Sequence, residues 1–511
     1  MFNKIKEFFR VLYELKYIVP LLRYKFPNPN DNASLAHSFE KTVKQFGDKN
    51  FIFFENESWT YSQINNSANM LASKLINDGI NHGDRVVLFM ENRPDYVISI
   101  LALNKIGAIG VLINTSLTGQ PLIHCINSSD SKKCIFGAEL SIPLGEVLDK
   151  INIKNKLDFL WVKDTDNYEC PYWASDLKFQ LDATNINNLA ITNKVTAKDI
   201  AFYIFTSGTT GVPKAALFPN VKIIAAAVNI TKGGYRMNHE DCMYNCLPLY
   251  HSTGMMLGLC ACIQVGASTF IRRKFSASAF WTEVKKYNTT AFVYVGELCR
   301  YLSFQEPSDS EKNNPMSKMV GNGLRPDLWD CFRNRFNVER IVEIYGASEG
   351  NAMFMNLLNK DATIGMTNAD IALLEYDVGK DSLVKDEGGK YIEVDENQPG
   401  LLIVKIGPNA VYNGYTDKKA SEEKVITGVF DEDDRWFNTG DLVKTVDVGF
   451  ALGRKHYQFV DRLGDTFRWK SENVSTNEVA EILNTFNQVN MANVYGVKIP
   501  KNEGRAGMVA F

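Results

Sequence analysis

The sequence predicts an α/β protein: a large, multi-subdomain N-terminal domain of helix-covered sheets, followed by a small α+β C-terminal domain. Three observations predict it. At 511 residues the chain is longer than one hydrophobic core supports. From about Ala33 to Thr445, short apolar strand-like runs alternate with amphipathic helical stretches, the pattern of parallel sheets covered by helices. No internal repeat or low-complexity tract interrupts that alternation.

Residues 1–30 read as a separate basic amphipathic segment. Phe2, Ile5, Phe8, Phe9, Leu12, Leu15 and Val19 recur at helical spacing, and Lys4, Lys6, Arg10, Lys16, Arg23 and Lys25 outnumber Glu7 and Glu14. Such a helix either lies in the headgroup layer of an anionic membrane or docks on the protein's own surface. It has no small-residue cleavage site of a secretory signal. No uncharged apolar run is long enough for an ordinary spanning helix.

Residues 31–460 form the main domain. "RVVLFM", "IGVLIN", "DIAFYIF" and "AFVYVG" read as strands, "PDYVISILALNKIGA" and "AFWTEVKKY" as helices. The polar, Pro-containing stretch 305–318 reads as a loop and the acidic "DEDDRW" near 431 as a solvated turn. A boundary is expected at about Asp461, with 461–511 the start of a second domain. Ser475 and Glu478 form a capping box there, opening a helix whose apolar face is Val479, Ile482, Leu483 and Phe486. So short a piece has little core of its own, and a truncated domain is expected.

Composition excludes several classes. Apolar residues at 45% and charged residues at 23% describe a globular enzyme, and a net charge of −3 gives no reason to expect nucleic acid. Nine cysteines without a CxxC pair predict reduced, buried thiols and a cytosol-facing protein.

"YIFTSGTTGVPKAA" (203–216) carries the chemistry. A strand feeding a Gly/Ser/Thr loop with a lysine grips phosphate, since backbone N–H groups approach anionic oxygens. It is not a Walker loop: Gly208 and Gly211 are too close, Pro213 precedes Lys214 and Ala215 follows it. Thr206, Ser207, Thr209 and Thr210 supply hydroxyls, and Lys214 a point charge.

"TSGTTGVPK" resembles the signature loop of the adenylate-forming superfamily of acyl- and aryl-CoA synthetases, peptide-synthetase adenylation domains and luciferases. "PLYHSTG" (248–254), "IYGASEGN" (344–351), "FNTGD" (437–441) and "DRLGDTFRWKSENVST" (461–476) resemble its further motifs in order. "GNGLRPDLW" (321–329), "YGASEGN" and "DTFRWKSENVST" are most similar to the fatty-acid transport protein and very-long-chain acyl-CoA synthetase branch.

The resemblance implies ATP-dependent activation of a long- or very-long-chain fatty acid to acyl-AMP, then transfer to coenzyme A, with coupling to fatty-acid uptake. Thr206, Ser207, Gly208, Thr209, Thr210, Gly211 and Lys214 would clasp the β/γ-phosphates. Glu349 would bind Mg²⁺, and Ser348 would reach the α-phosphate. Asp441 would accept from the ribose hydroxyls, and Arg462 would contact phosphate or ribose. Tyr345 and Gly346 would lie against adenine, opposite Gly321, Asn322 and Gly323. His251 would orient the reacting carboxylate, and Gly464 would be the hinge of a mobile C-terminal domain. Thr206, Lys214, His251 and Glu349 form the implied catalytic set.

The glycine-rich "GMMLGLCACIQVGA" (254–267) is either an acyl-tunnel lining or an ordinary buried helix. The superfamily's adenylation lysine would lie beyond Phe511. The implied setting is a membrane surface with the catalytic domain facing the cytosol, at the endoplasmic reticulum, plasma membrane or peroxisome. Two alternatives stay open: a membrane-associated fatty-acid uptake protein with weak ligase activity, and a ligase for another acid such as a bile, aryl or amino acid.

Overall fold

The computed structural model describes residues 2–510 except 179, 180, 182, 208–212, 347–349, 378, 379, 381, 408, 409, 464–466, 470, 471, 475, 484, 485, 487, 488, 490, 491 and 500–504. It forms two compact units, Leu12–Val342 and Met1–Val11 with Glu343–Phe511.

The first unit contains strands β1 (Asn50–Phe54), β2 (Glu57–Thr60), β3 (Arg85–Phe89), β4 (Ile109–Leu112), β5 (Lys133–Gly137), β6 (Phe159–Val162) and β7 (Ser175–Asp176). Further along are β8 (Ile200–Ser207), β9 (Pro213–Pro219), β10 (Cys242–Asn245), β11 (Ser268–Ile271), β12 (Ala291–Val295) and β13 (Lys318–Asn322). One sheet runs β7-β6-β5-β3-β4-β8-β9 and is parallel except for the β8–β9 hairpin. The other runs β13-β12-β10-β11-β1-β2 and is parallel except for β1–β2. The four apolar runs read as strands supply β3, β4, β8 and β12, and the two helical runs supply Pro94–Lys105 and Ala277–Lys286. Val86 to Phe89 are all buried, as in a parallel strand covered on both faces. Val87, Val111, Phe136 and Trp161 share one core, and Tyr244, Phe280 and Phe292 another.

Strand order reverses at β3. Its connection leads to β4 on one side, while β5 and β6 continue on the other. Doubly wound sheets place ligands at the carboxyl ends of such strands. Between β3 and β5 that place is filled by Arg93, buried against Glu139 at 3.4 Å and Asp164 at 3.0 Å.

In the second unit Ile344 and Tyr345, at the end of β14 (Arg340–Tyr345), pair antiparallel with β15 (Phe354–Met355). The larger sheet of this unit is antiparallel: β16 (Ile371–Leu374), β19 (Gly400–Lys405), β21 (Arg435–Val446) and β20 (Val425–Thr427), with β22 (His456–Arg462) along β21. Three small hairpins complete it: β17 (Tyr376–Asp377) with β18 (Ser382–Leu383), β23 (Phe467–Trp469) with β24 (Glu472–Val474), and β25 (Asn493–Lys498) with β26 (Arg505–Ala510).

Three expectations are corrected or refined. A helix, Thr476–Leu483, begins where the capping box placed it, although Ser475 lies outside the described residues. Ile482 and Phe486, named on its apolar face, are exposed, and Phe486 lies beyond the helix end at Leu483; a two-stranded hairpin offers little surface to cover them. The acidic turn near 431 is not simply solvated. Asp434 is buried and accepts the backbone N–H of Val429, Phe430 and Asp431 at 2.7, 2.9 and 3.1 Å. Burial pushes its carboxyl up, but the Trp436 side chain together with those N–H groups outweighs it and holds it down to about 2.

A carboxyl held below its unfolded value stabilises fully above about pH 4, and the gain disappears as pH falls through about 2. Asp434→Asn should therefore melt earlier than the parent at neutral pH, by about 2 kcal/mol. The gap between their melting temperatures should close in acid; a constant gap would refute the role.

All nine cysteines are free. Burial raises the thiols of Cys125, Cys242, Cys246 and Cys260 to about 12, which leaves them unreactive. The glycine-rich stretch forms the helical segments Thr253–Cys260 and Ala261–Val265. Its glycines have packing reasons: a Cβ at Gly254 would meet the Pro248 carbonyl at 2.5 Å, and one at Gly258 the Asn245 amide at 2.3 Å. That is the buried-helix reading.

Candidate functional site

In the unit Leu12–Val342, β8 delivers the phosphate-type loop and β9 receives it. Thr206 pairs with Lys214 across the hairpin mouth, and Thr206 Oγ1 donates to the Lys214 carbonyl at 3.5 Å. The lysine thus stands at the start of a strand, whereas a Walker loop hands its lysine to a helix. Gly208, Thr209, Thr210 and Gly211 lie outside the described residues, as does the Ser207 side chain.

β4 lies beside β8, so residues following β4 end at the same edge of the sheet. There the Thr115 and Ser116 hydroxyls lie beside the Tyr250 phenol and oppose the upward push that burial gives it. Tyr250 packs 4.7 Å from His251, ring centre to ring centre. Desolvation lowers the His251 imidazole, which keeps the ring neutral near neutral pH, although the residue is exposed at the surface.

The turn carrying His251 is clamped by a residue that sequence reasoning missed. Asn92, buried after β3, donates to the carbonyls of Leu247 (2.8 Å) and Arg272 (3.2 Å). Its oxygen accepts the N–H of Leu249 at 2.8 Å. One amide side chain therefore ties the carboxyl end of β3 to those of β10 and β11. No local pattern announces it, because its partners are more than 150 residues away.

Gly321 and Asn322 end β13, and Gly323 follows it. A Cβ at Gly321 would meet the Tyr294 carbonyl at 2.1 Å, so strand packing accounts for that glycine. Asn322 and Gly323 are exposed, and Gly323 takes φ +81°, a conformation open to glycine.

In the other unit the structure brings together Tyr345, Asp441 and Arg462. Gly440 at φ +76° turns the strand before Asp441, and the Asp441 N–H is held by Thr439 Oγ1 at 3.1 Å. Tyr345 donates its hydroxyl to Asp441 Oδ2 at 2.5 Å. Arg462 stands opposite Asp441 in the β21–β22 register, its Nε 3.7 Å from Oδ1. Burial and then the Asp441 carboxylate push the Tyr345 phenol well above its usual range, so it stays a donor. Its ring packs edge-on against Phe354 and lies 6.2 Å from Phe459. The result is a buried carboxylate with fixed orientation beside an exposed guanidinium, a fit for vicinal hydroxyls next to a phosphate. Gly346 follows Tyr345 and is exposed; Ser348 and Glu349 lie outside the described residues.

The fold is that of adenylate-forming enzymes. It superposes on an anthranilate CoA ligase solved with anthranoyl-AMP with a TM-score of 0.77 at 17% identity, over 93% of this chain and 86% of that one. A fatty acyl CoA synthetase of Mycobacterium tuberculosis gives 0.67 at 20%, over 93% and 87%. The AMP-binding enzyme family model matches residues 39–416. The medium/long-chain-fatty-acid–CoA ligase FadD6 of Mycobacterium tuberculosis is 38% identical over 94% of this chain and 78% of its own length. Long-chain fatty acid transport protein 6 of Mus musculus is 35% identical over 99% and 80%. The chain belongs to the AMP-binding enzyme family, in its fatty-acid transport protein branch.

Proposed function

We propose that this chain is an AMP-forming fatty-acid–CoA ligase acting on long- or very-long-chain acids. The observation that carries the reading is 38% identity with a medium/long-chain ligase over 94% of the chain. The Tyr345–Asp441–Arg462 arrangement supports it from the geometry.

In the first half-reaction a carboxylate oxygen attacks the α-phosphorus of ATP, the bond to the β-phosphate breaks, and pyrophosphate leaves. The transition state is highly anionic, so neutralisation and positioning dominate. Lys214 with the hydroxyls of residues 206–210 takes the β/γ-phosphates, and Asp441 fixes the ribose. His251 orients the acid and removes no proton, consistent with a neutral ring and a nucleophile already ionised. In the second half-reaction the CoA thiol attacks the acyl carbon and AMP departs, after rotation of a mobile domain from about residue 461.

Among the described residues no group of three His, Cys, Asp or Glu could hold a metal alone. One carboxylate completed by substrate phosphates suits Mg²⁺, which keeps few protein ligands, and Glu349 is the residue proposed for it. Bound there, the ion would neutralise phosphate charge.

We further propose membrane association with the catalytic part facing the cytosol, at the endoplasmic reticulum, plasma membrane or peroxisome. The transport-protein names of the relatives favour a second role in fatty-acid uptake. Among the described residues no helix is long and apolar enough to cross a membrane. Acid-dependent ATP–pyrophosphate exchange by the full-length protein separates the readings. Exchange that requires a long-chain acid supports the ligase. Exchange only with bile, aryl or amino acids reassigns the substrate, and none at all favours uptake or binding.

A further inference from the structure

The strand that receives the phosphate loop lies at a sheet edge, and its first residue is held from outside the sheet. β9 ends the order β7-β6-β5-β3-β4-β8-β9, so its outer row of backbone groups faces no further strand. Pro213 opens β9 opposite Ser207 and has no N–H to give to β8. Its carbonyl accepts from His124 Nε2 at 3.0 Å. A carbonyl only accepts, so Nε2 of that imidazole carries the hydrogen.

His124 belongs to the helix Gly119–Ser128, in the same unit as the hairpin. That helix buries Leu122, Ile123, Cys125 and Ile126 in one core with Phe205 and Ala215. Phe205 and Ala215 face each other across the hairpin, just before Thr206 and just after Lys214. Side chains alternate along a strand, so Thr206 and Lys214 are carried on the face away from that core. The helix therefore backs the hairpin mouth by packing, and His124 ties it to the residue next to Lys214. Apolar packing is non-directional, whereas a hydrogen bond to the Pro213 carbonyl fixes where the strand begins. His124 is itself exposed, so water replaces either partner of that bond and it adds little to stability.

We infer that His124 is a positioning residue for the triphosphate end of ATP: by holding the Pro213 carbonyl it fixes where Lys214 meets the β/γ-phosphates. The inference rests on the ligase reading for the role of Lys214, and adds to it a residue that lies in none of the site's motifs. It also names the part of the nucleotide concerned. ATP should feel the loss of His124, and AMP, which has no β- or γ-phosphate, should not.

The test is isothermal titration of the full-length protein with ATP and, separately, with AMP, so that no turnover is needed. His124→Leu should bind ATP about tenfold more weakly than the parent, the worth of one hydrogen bond, and AMP equally well. His124→Gln, whose amide donates over a similar reach, should restore ATP affinity. Adding His124→Leu to Lys214→Ala should cost nothing further, since the lysine it positions is already gone. Equal ATP affinity in the parent and His124→Leu, or equal losses for ATP and AMP, would overturn the inference and leave the ligase reading standing. A parent that binds ATP no better than AMP, and is indifferent to Lys214→Ala, would overturn the role of the lysine and this inference with it.

Discussion

Asp441→Ala is expected to weaken ATP binding by about 30-fold, or ~2 kcal/mol, the worth of charge-assisted hydrogen bonds to a sugar edge. Two features make this residue exacting. Its carboxylate is buried and orientated by the Tyr345 hydroxyl at 2.5 Å, so it meets a ligand without reorganisation. It also stands across the strands from Arg462, which leaves a cation beside the place where a phosphate would follow the sugar. Tyr345→Phe should keep the carboxylate but release its orientation, costing less than the alanine change. Isothermal titration with ATP measures both; equal affinity in parent and Asp441→Ala would remove the residue from the nucleotide site.

The largest stability effect is expected at Arg93. It is 1% exposed and pairs with Asp95, Glu139 and Asp164, at 3.3, 3.4 and 3.0 Å, and donates to the Val162 carbonyl at 3.0 Å. Burial raises the Glu139 carboxyl, and Arg93 opposes that rise. Arg273 binds Asp164 through both carboxylate oxygens, at 2.9 and 3.0 Å, so the network also reaches the end of β11. Arg93→Ala would leave the half-buried Glu139 and Asp164 and the more exposed Asp95 facing one cation fewer around a buried cavity, a loss of about 3 kcal/mol in urea denaturation. A loss under about 1 kcal/mol would place the pairs among weak surface ones. The network fills the strand-order switch between β3 and β5 and holds the loop from which Asn92 clamps the His251 turn. Destabilisation there should therefore reach the site.

The sequence disclosed most where its signal is local. Strands β3, β4, β8 and β12 stand out because parallel strands buried on both faces are unbroken apolar runs. The phosphate loop is legible because its hydroxyls, glycines and lysine are contiguous. What stayed hidden depends on partners far along the chain. The helical period of Phe2–Leu22 was readable, but its inward face was not, since Glu14 finds Arg236 and Arg340 hundreds of residues away. Asn92 is unremarkable until Leu247 and Arg272 are folded against it. Asp434 looked like one of a solvated acidic run, yet three backbone N–H groups converge on it. The Tyr345–Asp441 pair joins two motifs that were each visible, with a contact that neither contains.

On the ligase reading, the β8–β9 hairpin and the Asp441 carboxylate serve acyl-adenylate chemistry on a fatty acid. The most direct measurement is ATP-, CoA- and Mg²⁺-dependent acyl-CoA formation by the full-length protein across acids from medium to very long chain, with Glu349→Ala alongside. Product with long acids, collapsing in the variant, is the expected result. Folded protein that binds ATP yet forms no acyl-CoA from any acid would contradict it.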